Sequence, residues 1–201
     1  MFDSVLIIAP HTDDELGCSG FIKRITSANL CSKVCYMAFS TGHEKDVLTR
    51  ECIDALQVIG VNSKPELFDF PVRDFPQNRQ KILDTMIGRK NMYQPSLVLV
   101  PSSFDCHQDH KVIYEEAVRA FKDCSILGYE LPWNNLSFST QFYVKLTSEH
   151  LEEKIRSFKC YKSQIDRQYS DPECIRALAI MRGLQIRCRY AEAYEVIKWV
   201  M

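Results

Sequence analysis

Two short apolar runs, each leading into a cluster rich in histidine and aspartate, restrict this chain to few folds. Val5-Leu6-Ile7-Ile8-Ala9 leads into Pro10-His11-Thr12-Asp13-Asp14-Glu15, and Leu97-Val98-Leu99-Val100-Pro101 leads, after a short turn, into Asp105-Cys106-His107-Gln108-Asp109-His110. A short unbroken apolar run bounded by turn residues fits a strand buried on both faces, as in a parallel sheet covered by helices. Open α/β sheets gather their ligands at the carboxyl ends of such strands. Both clusters stand at strand ends, so they are expected to form the halves of one site.

The rest of the chain supports a layered α/β arrangement. Strands are expected over residues 4–9, 33–39, 66–70, 97–101, 126–131 and 138–146, the last alternating enough for an edge, with helices over 16–28, 44–59, 77–93 and 110–123. Right-handed crossovers in the order 3-2-1-4 would set the first and fourth strands side by side, where the strand order reverses. Residues 148–201 read as mainly helical, so the sheet is expected to end near Leu146 and the C-terminal helices to pack on it or on an oligomer partner. With no repeat, linker or shift in composition, residues 1–201 are expected to form one domain.

Composition excludes several function classes. The 25 basic and 26 acidic residues are mixed along the chain, giving no field of one sign for nucleic acid or an anionic membrane. No apolar segment approaches the roughly 20 residues that span a bilayer, and the N-terminal run is too short for a signal peptide. The nine cysteines are scattered, and the closest pair, Cys31 and Cys35, lacks the spacing of a zinc knuckle or thioredoxin motif. Reduced thiols and a cytoplasmic location are expected.

A catalytic divalent ion takes three protein donors, imidazole nitrogens and carboxylate oxygens, and leaves one position for water. His11, Asp14 and His110 meet that count. Asp13 and Asp14 are adjacent and cannot both aim at one point from extended backbone, so Asp13 is expected to face the water as general base. His107, one helical turn before His110, shares its face and can stabilise an oxyanion or protonate a leaving amine. Asp109 is suited to fix a histidine tautomer from outside the ligand set. Each of these acids could instead simply cap a helix, but two histidine-bearing clusters after two buried strands favour the metal site. Gly17 and Gly20 complete no dinucleotide fingerprint, Ser19 lies in no nucleophile elbow, and His43-Glu44 lacks the second histidine of a helical zinc-protease motif.

With these residues in place, the chain resembles the LmbE-like, or PIG-L, family of zinc-dependent N-deacetylases. The family's His-Pro-Asp-Asp-Glu opening stands here as residues 11–15 and its His-x-Asp-His as residues 107–110. The likeness extends to Leu16-Gly17-Cys18, Glu51 with Ala55 and Gly60, Ser163-Gln164, and Tyr190-Ala191-Glu192-Ala193-Tyr194. It implies a Rossmann-like three-layer fold with a mostly parallel sheet. It also implies Zn2+, with Fe2+ or another divalent ion as competitor, on His11, Asp14 and His110, and catalytic work by Asp13 and His107, to which the chemical reading above adds Asp109. The implied reaction is release of acetate from an N-acetylated amino sugar or sugar conjugate, and the implied assembly a homo-oligomer. A larger N-acyl conjugate, or a non-catalytic sugar- or nucleotide-binding module, stays open. Two departures stand out: Thr12 replaces proline, which is expected to relax the turn, and Ser19 replaces glycine, which is expected to alter substrate approach at the helix start.

Candidate substrate contacts are Arg73, in a proline-flanked loop with Asp74, and Glu130 and Trp133, after a candidate strand. An Arg73–Asp74 ion pair and ordinary core packing are the simpler readings of these residues. The stripe Phe158, Tyr161, Ile165 and Tyr169 reads as packing.

Overall fold

β1 (Phe2–His11) carries its unbroken apolar run because it is covered on both faces. Val5, Ile7 and Ala9 point into one apolar cluster with Phe21, Ile22, Leu56 and Ile155, whereas Leu6 and Ile8 point into another with Ile82, Met86, Val112 and Phe121. The structure, a computed structural model, describes residues 2–200. Six further strands complete one sheet with β1: β2 (Cys31–Ser40), β3 (Glu66–Leu67), β4 (Leu97–Pro101), β5 (Ser125–Tyr129), β6 (Phe142–Leu146) and β7 (Tyr190–Lys198). Their order is β3-β2-β1-β4-β5-β7-β6. The first five run parallel, and β7 is antiparallel to both its neighbours.

Helices α1 (Ser19–Ser27), α2 (Lys45–Val58), α5 (Ser148–Phe158) and α6 (Pro172–Gln185) supply the first cluster, and α3 (Arg79–Tyr93) and α4 (Gln108–Ala120) the second. The result is the expected three-layer, mostly parallel α/β fold. The expected order 3-2-1-4 is also present. β1 connects outward through α1 to β2, and β4 connects the other way through α4 to β5, so a crevice opens where β1 and β4 lie side by side. No helix among the described residues is long and apolar enough to cross a membrane.

The C-terminal segment differs from expectation. Residues 148–201 are not mainly helical throughout: after α5 and α6 comes β7, which inserts between β5 and β6, so the sheet does not end at Leu146. The Ala, Glu and Lys of residues 190–198 favour helix intrinsically, and a strand covered on both faces need not show the clean alternation of a half-exposed one. Other differences are smaller. β3 stops at Leu67, although Phe68 N and Phe70 N still donate to the carbonyls of Ala38 and Phe39. The expected helix over 16–28 is split into a 3-10 turn at Asp14–Gly17 and α1, and Pro76 opens a 3-10 turn at Phe75–Asn78 before α3.

β7 also governs how the first motif is held. No side chain caps α1 locally; Glu192 of β7 does so from across the sheet, accepting from Gly20 N at 2.9 Å and Phe21 N at 2.7 Å. The same carboxylate takes Lys154 Nζ at 2.6 Å and Tyr194 Oη at 2.7 Å. Gly20 leaves room for this, since a Cβ there would stand 2.6 Å from Glu192 Oε1. The family-like Glu51 has a similar part elsewhere, accepting from Ser163 N and Oγ and so tying α2 to the turn at Lys162–Gln164.

Candidate metal centre

His11 ends β1, and the chain turns at once: Asp13 lies near φ −102°, ψ 0°, in the sparsely populated bridge region, and Asp14 opens the 3-10 turn. Asp14 Oδ2 reaches back to accept from His11 N at 2.8 Å. The second motif starts α4, with His107 as N-cap and His110 in the first turn. Because β1 and β4 are neighbours, the two turns meet.

The structure brings His11, Asp14 and His110 together. His11 Nδ1 and Asp14 Oδ2 are 3.2 Å apart, His110 Nε2 and Asp14 Oδ2 3.3 Å, and the two ring nitrogens 3.3 Å. Donors about 2.0–2.1 Å from a tetrahedral zinc are separated by about 3.3–3.4 Å, so this triangle has the edges such an ion requires. Two imidazoles and a carboxylate suit zinc, and iron(II) shares these ligand types.

Each histidine is held from behind by a buried carboxylate. Asp109 Oδ2 lies 3.1 Å from His11 Nε2, and Asp105 Oδ2 lies 2.7 Å from His110 Nδ1. With those nitrogens donating to the acids, the opposite nitrogens present lone pairs to the shared point. Asp105 was missed as an orienting group in the sequence. Its signal was an acid at a strand end, five residues before His110. It also accepts from His107 N at 2.8 Å, so one carboxylate sets both histidines of the second motif.

The electrostatics of the cluster favour positive charge. Burial acts to lower the pKa of His11, but hydrogen bonds to Asp109 and Asp14 and the charges of Asp14 and Asp13 raise it to about 10, a negative field in which a divalent ion on Nδ1 would take the place of the ring's second proton. Burial acts to raise Asp14, and the adjacent His110 and His11 nevertheless hold it at about 2. Asp13, half-buried, is raised to about 6 by burial and by the charge of Asp14, against the pull of His11 and a hydrogen bond from Tyr169 Oη at 3.3 Å. His107 is lowered by burial and by the neighbouring histidines. Its Nδ1 accepts from Asp109 N at 3.2 Å, which leaves Nε2 as the N–H donor of the neutral ring.

Several expected contacts fall elsewhere. Glu15 does not converge with the cluster: it turns into the core, where burial raises its pKa well above the usual range and Tyr161 Oη lies at 2.7 Å. Thr12 does not loosen the turn, because its carbonyl accepts from Tyr36 Oη at 2.9 Å and also from Tyr161 Oη. Ser19 is wholly buried with its hydroxyl on the Leu16 carbonyl, away from any ligand approach. Tyr169, grouped above with packing residues, instead reaches Asp13 and stacks on Trp133 with ring centroids 4.2 Å apart.

Arg73 is exposed and, among the described residues, makes no ion pair with Asp74. Its backbone takes a left-handed φ of 68°, costly for a residue with a Cβ, and is pinned there because Arg73 N donates to Asp109 Oδ2 at 2.7 Å and its carbonyl accepts from Gln108. Asp109 thereby fixes both His11 and the Arg73 loop. Glu130 is not free for a substrate hydroxyl, since Arg182 engages both its oxygens.

Residues 6–121, more than half of the chain, match the family described as PIG-L, GlcNAc-PI de-N-acetylase. The uncharacterized deacetylase YaiS of Escherichia coli (strain K12) is 27% identical over 167 residues, covering 79% of this chain and 90% of that protein. The N,N'-diacetylchitobiose deacetylase from Pyrococcus horikoshii superposes with a TM-score of 0.79 at 20% identity, covering 98% of this chain and 84% of that one. GalB, the 4-carboxy-2-hydroxymuconate hydratase from Pseudomonas putida KT2440, superposes with a TM-score of 0.80 at 18% identity, covering 99% and 98%. Those two likenesses are of fold, and a fold shared by a deacetylase and a hydratase does not choose a reaction. The family match runs from β1 through α4 and takes in both motifs of the centre, so the chain belongs to the PIG-L (LmbE-like) family of deacetylases.

Proposed function

We propose that this protein is a divalent-metal-dependent hydrolase, with zinc as its metal, that removes the N-acetyl group from an amino sugar or sugar conjugate. The observation that carries the reading is the triangle of His11 Nδ1, Asp14 Oδ2 and His110 Nε2, each histidine backed by its own carboxylate. Three protein donors leave a position open, as catalytic rather than structural sites do. An ion held there would supply Lewis acidity, activating water and polarising the amide carbonyl.

The chain's own groups account for the remaining steps. Asp13 takes the proton of the attacking water as a new C–O bond forms at the amide carbon. His107 offers Nε2–H to the oxygen on which negative charge develops. The C–N bond then breaks, and the proton held by Asp13 passes to the leaving nitrogen, giving acetate and a free amine. Asp109 acts through His11 and the Arg73 loop. Arg73, exposed in the loop that Asp109 holds, contacts the sugar, and Trp133, exposed beside Tyr169, contacts the substrate near Asp13.

The direct test is acetate release from a panel of N-acetylated sugars and nucleotide sugars by protein of known metal content. Release that vanishes on chelation and returns with zinc is expected; stoichiometric metal with no release from any member would overturn the acetyl-sugar assignment. A second measurement probes the carboxylate behind His110. Asp105→Asn removes the charge that orients this ring and should weaken zinc about 10- to 100-fold in a competition titration, whereas unchanged affinity would remove Asp105 from the site.

A further inference from the structure

A cavity of about 690 Å3 adjoins the first motif, beneath α6 and behind the Trp133–Tyr169 stack. That volume lies within the roughly 300–1,000 Å3 of small-molecule sites. Leu16, Leu131, Ile175, Leu178, Ala179 and Ala193 give it apolar walls. Its charged groups are largely matched in place, Glu130 with Arg182 and Lys154 with Glu192. The walls therefore suit an uncharged, apolar occupant.

Position identifies which part of a substrate that occupant is. The cavity meets the reacting centre through Tyr169, whose hydroxyl lies on Asp13, and through Leu16 and Gly17, which follow the motif directly. Neither Arg73 nor any residue of the second motif lines it. In the reaction proposed above, Asp13 meets both halves of the amide, and neither His107 nor Arg73 lines the cavity. Of the two halves, the acyl chain is the one without polar groups, so it is the part that the apolar walls suit, and the amine part faces the second motif.

We infer that this cavity seats the acyl chain of the amide, so that the enzyme, while it removes the acetyl group assigned above, also removes medium-length N-acyl groups and does so more efficiently. The inference rests on the amide-hydrolase reading. Hydrolysis adds the elements of water across the C–N bond, and the products are a medium-chain carboxylate and the free amine. Each methylene buried is worth about fourfold in binding. With part of the chain left near the exposed rim at Trp133 and Met181, an N-octanoyl amino sugar should exceed its N-acetyl counterpart by at least about 100-fold in kcat/KM.

The experiment compares N-acetyl, N-butyryl, N-octanoyl and N-decanoyl glucosamine as substrates of the metal-loaded protein. Separately, octanoate binding is followed by calorimetry and by Trp133 fluorescence. Leu178→Trp, which fills the cavity, should lower octanoate affinity at least tenfold, and Leu178→Ala, which enlarges it, should move the chain-length optimum upward. Melting curves identify any variant that fails to fold, and either variant suffices. Acetyl release with no gain from chain length and no octanoate binding would overturn the chain site alone. Octanoate binding that Leu178→Trp abolishes, with no amide cleaved, would sink the hydrolase reading and leave the chain site standing.

Discussion

An Asp13→Asn enzyme is expected to retain its metal and lose about 10²- to 10⁴-fold in kcat. The substitution keeps the shape of the side chain and touches none of the three donor atoms, so zinc content should equal that of the parent. What it removes is the basic oxygen beside the open position. Burial and the charge of Asp14 push this carboxylate up, against the pull of His11 and of any divalent ion held by the three donors, so it keeps proton affinity while staying available as a base. The hydrogen bond from Tyr169 keeps the group aimed. Parallel determination of zinc by atomic absorption and of kcat by acetate release tests both halves of the expectation. A full complement of zinc with the parent rate would transfer the role of base to another group.

Glu192→Ala is expected to cost about 3–5 kcal/mol of stability, seen as a fall in melting temperature of about 6–20 °C for a chain of this size. Glu192 and Lys154 are both buried, and their pair is closed by two backbone donors of α1 and by Tyr194. Removing the carboxylate leaves an ammonium without a partner inside the protein and uncaps α1 at the same time. Total stability of a domain is about 5–15 kcal/mol, so this single change takes away a large share of it. Replacing both members, Glu192→Leu with Lys154→Met, should recover most of the Lys154 part of the loss but not the cap. Equal melting temperatures for parent and Glu192→Ala would show that water reaches the pair.

Much of the centre was legible because its chemistry is local in sequence. His11 and Asp14 sit within one turn, as do His107 and His110, and the apolar runs before them announce the strands that bring the turns together. The order of those strands followed from connection rules alone. What stayed hidden depends on distant partners. Asp105 could be recognised as the support of His110 only once a 2.7 Å contact was seen, and for Asp109 the role of fixing a histidine tautomer was legible but not the histidine, 98 residues away, that it serves. Tyr169 carries no local mark of its contact with Asp13. β7 was misread because intrinsic preference at residues 190–198 opposes the sheet that tertiary packing imposes.

The insertion of β7 between β5 and β6 also orders events on the ribosome. β1 to β5 emerge in an order that lets each parallel strand join a neighbour as its helix forms, whereas β6, whose only neighbour in the sheet is β7, must wait some 45 residues for it. A nascent chain that has reached α5 therefore displays two unsatisfied strand edges, on β5 and on β6, each able to recruit another polypeptide. Arrival of β7 shields both at once and delivers Glu192 to the start of α1. The capping of α1 and the pairing of β5 and β6 with β7 are thus completed in the same late step of biosynthesis.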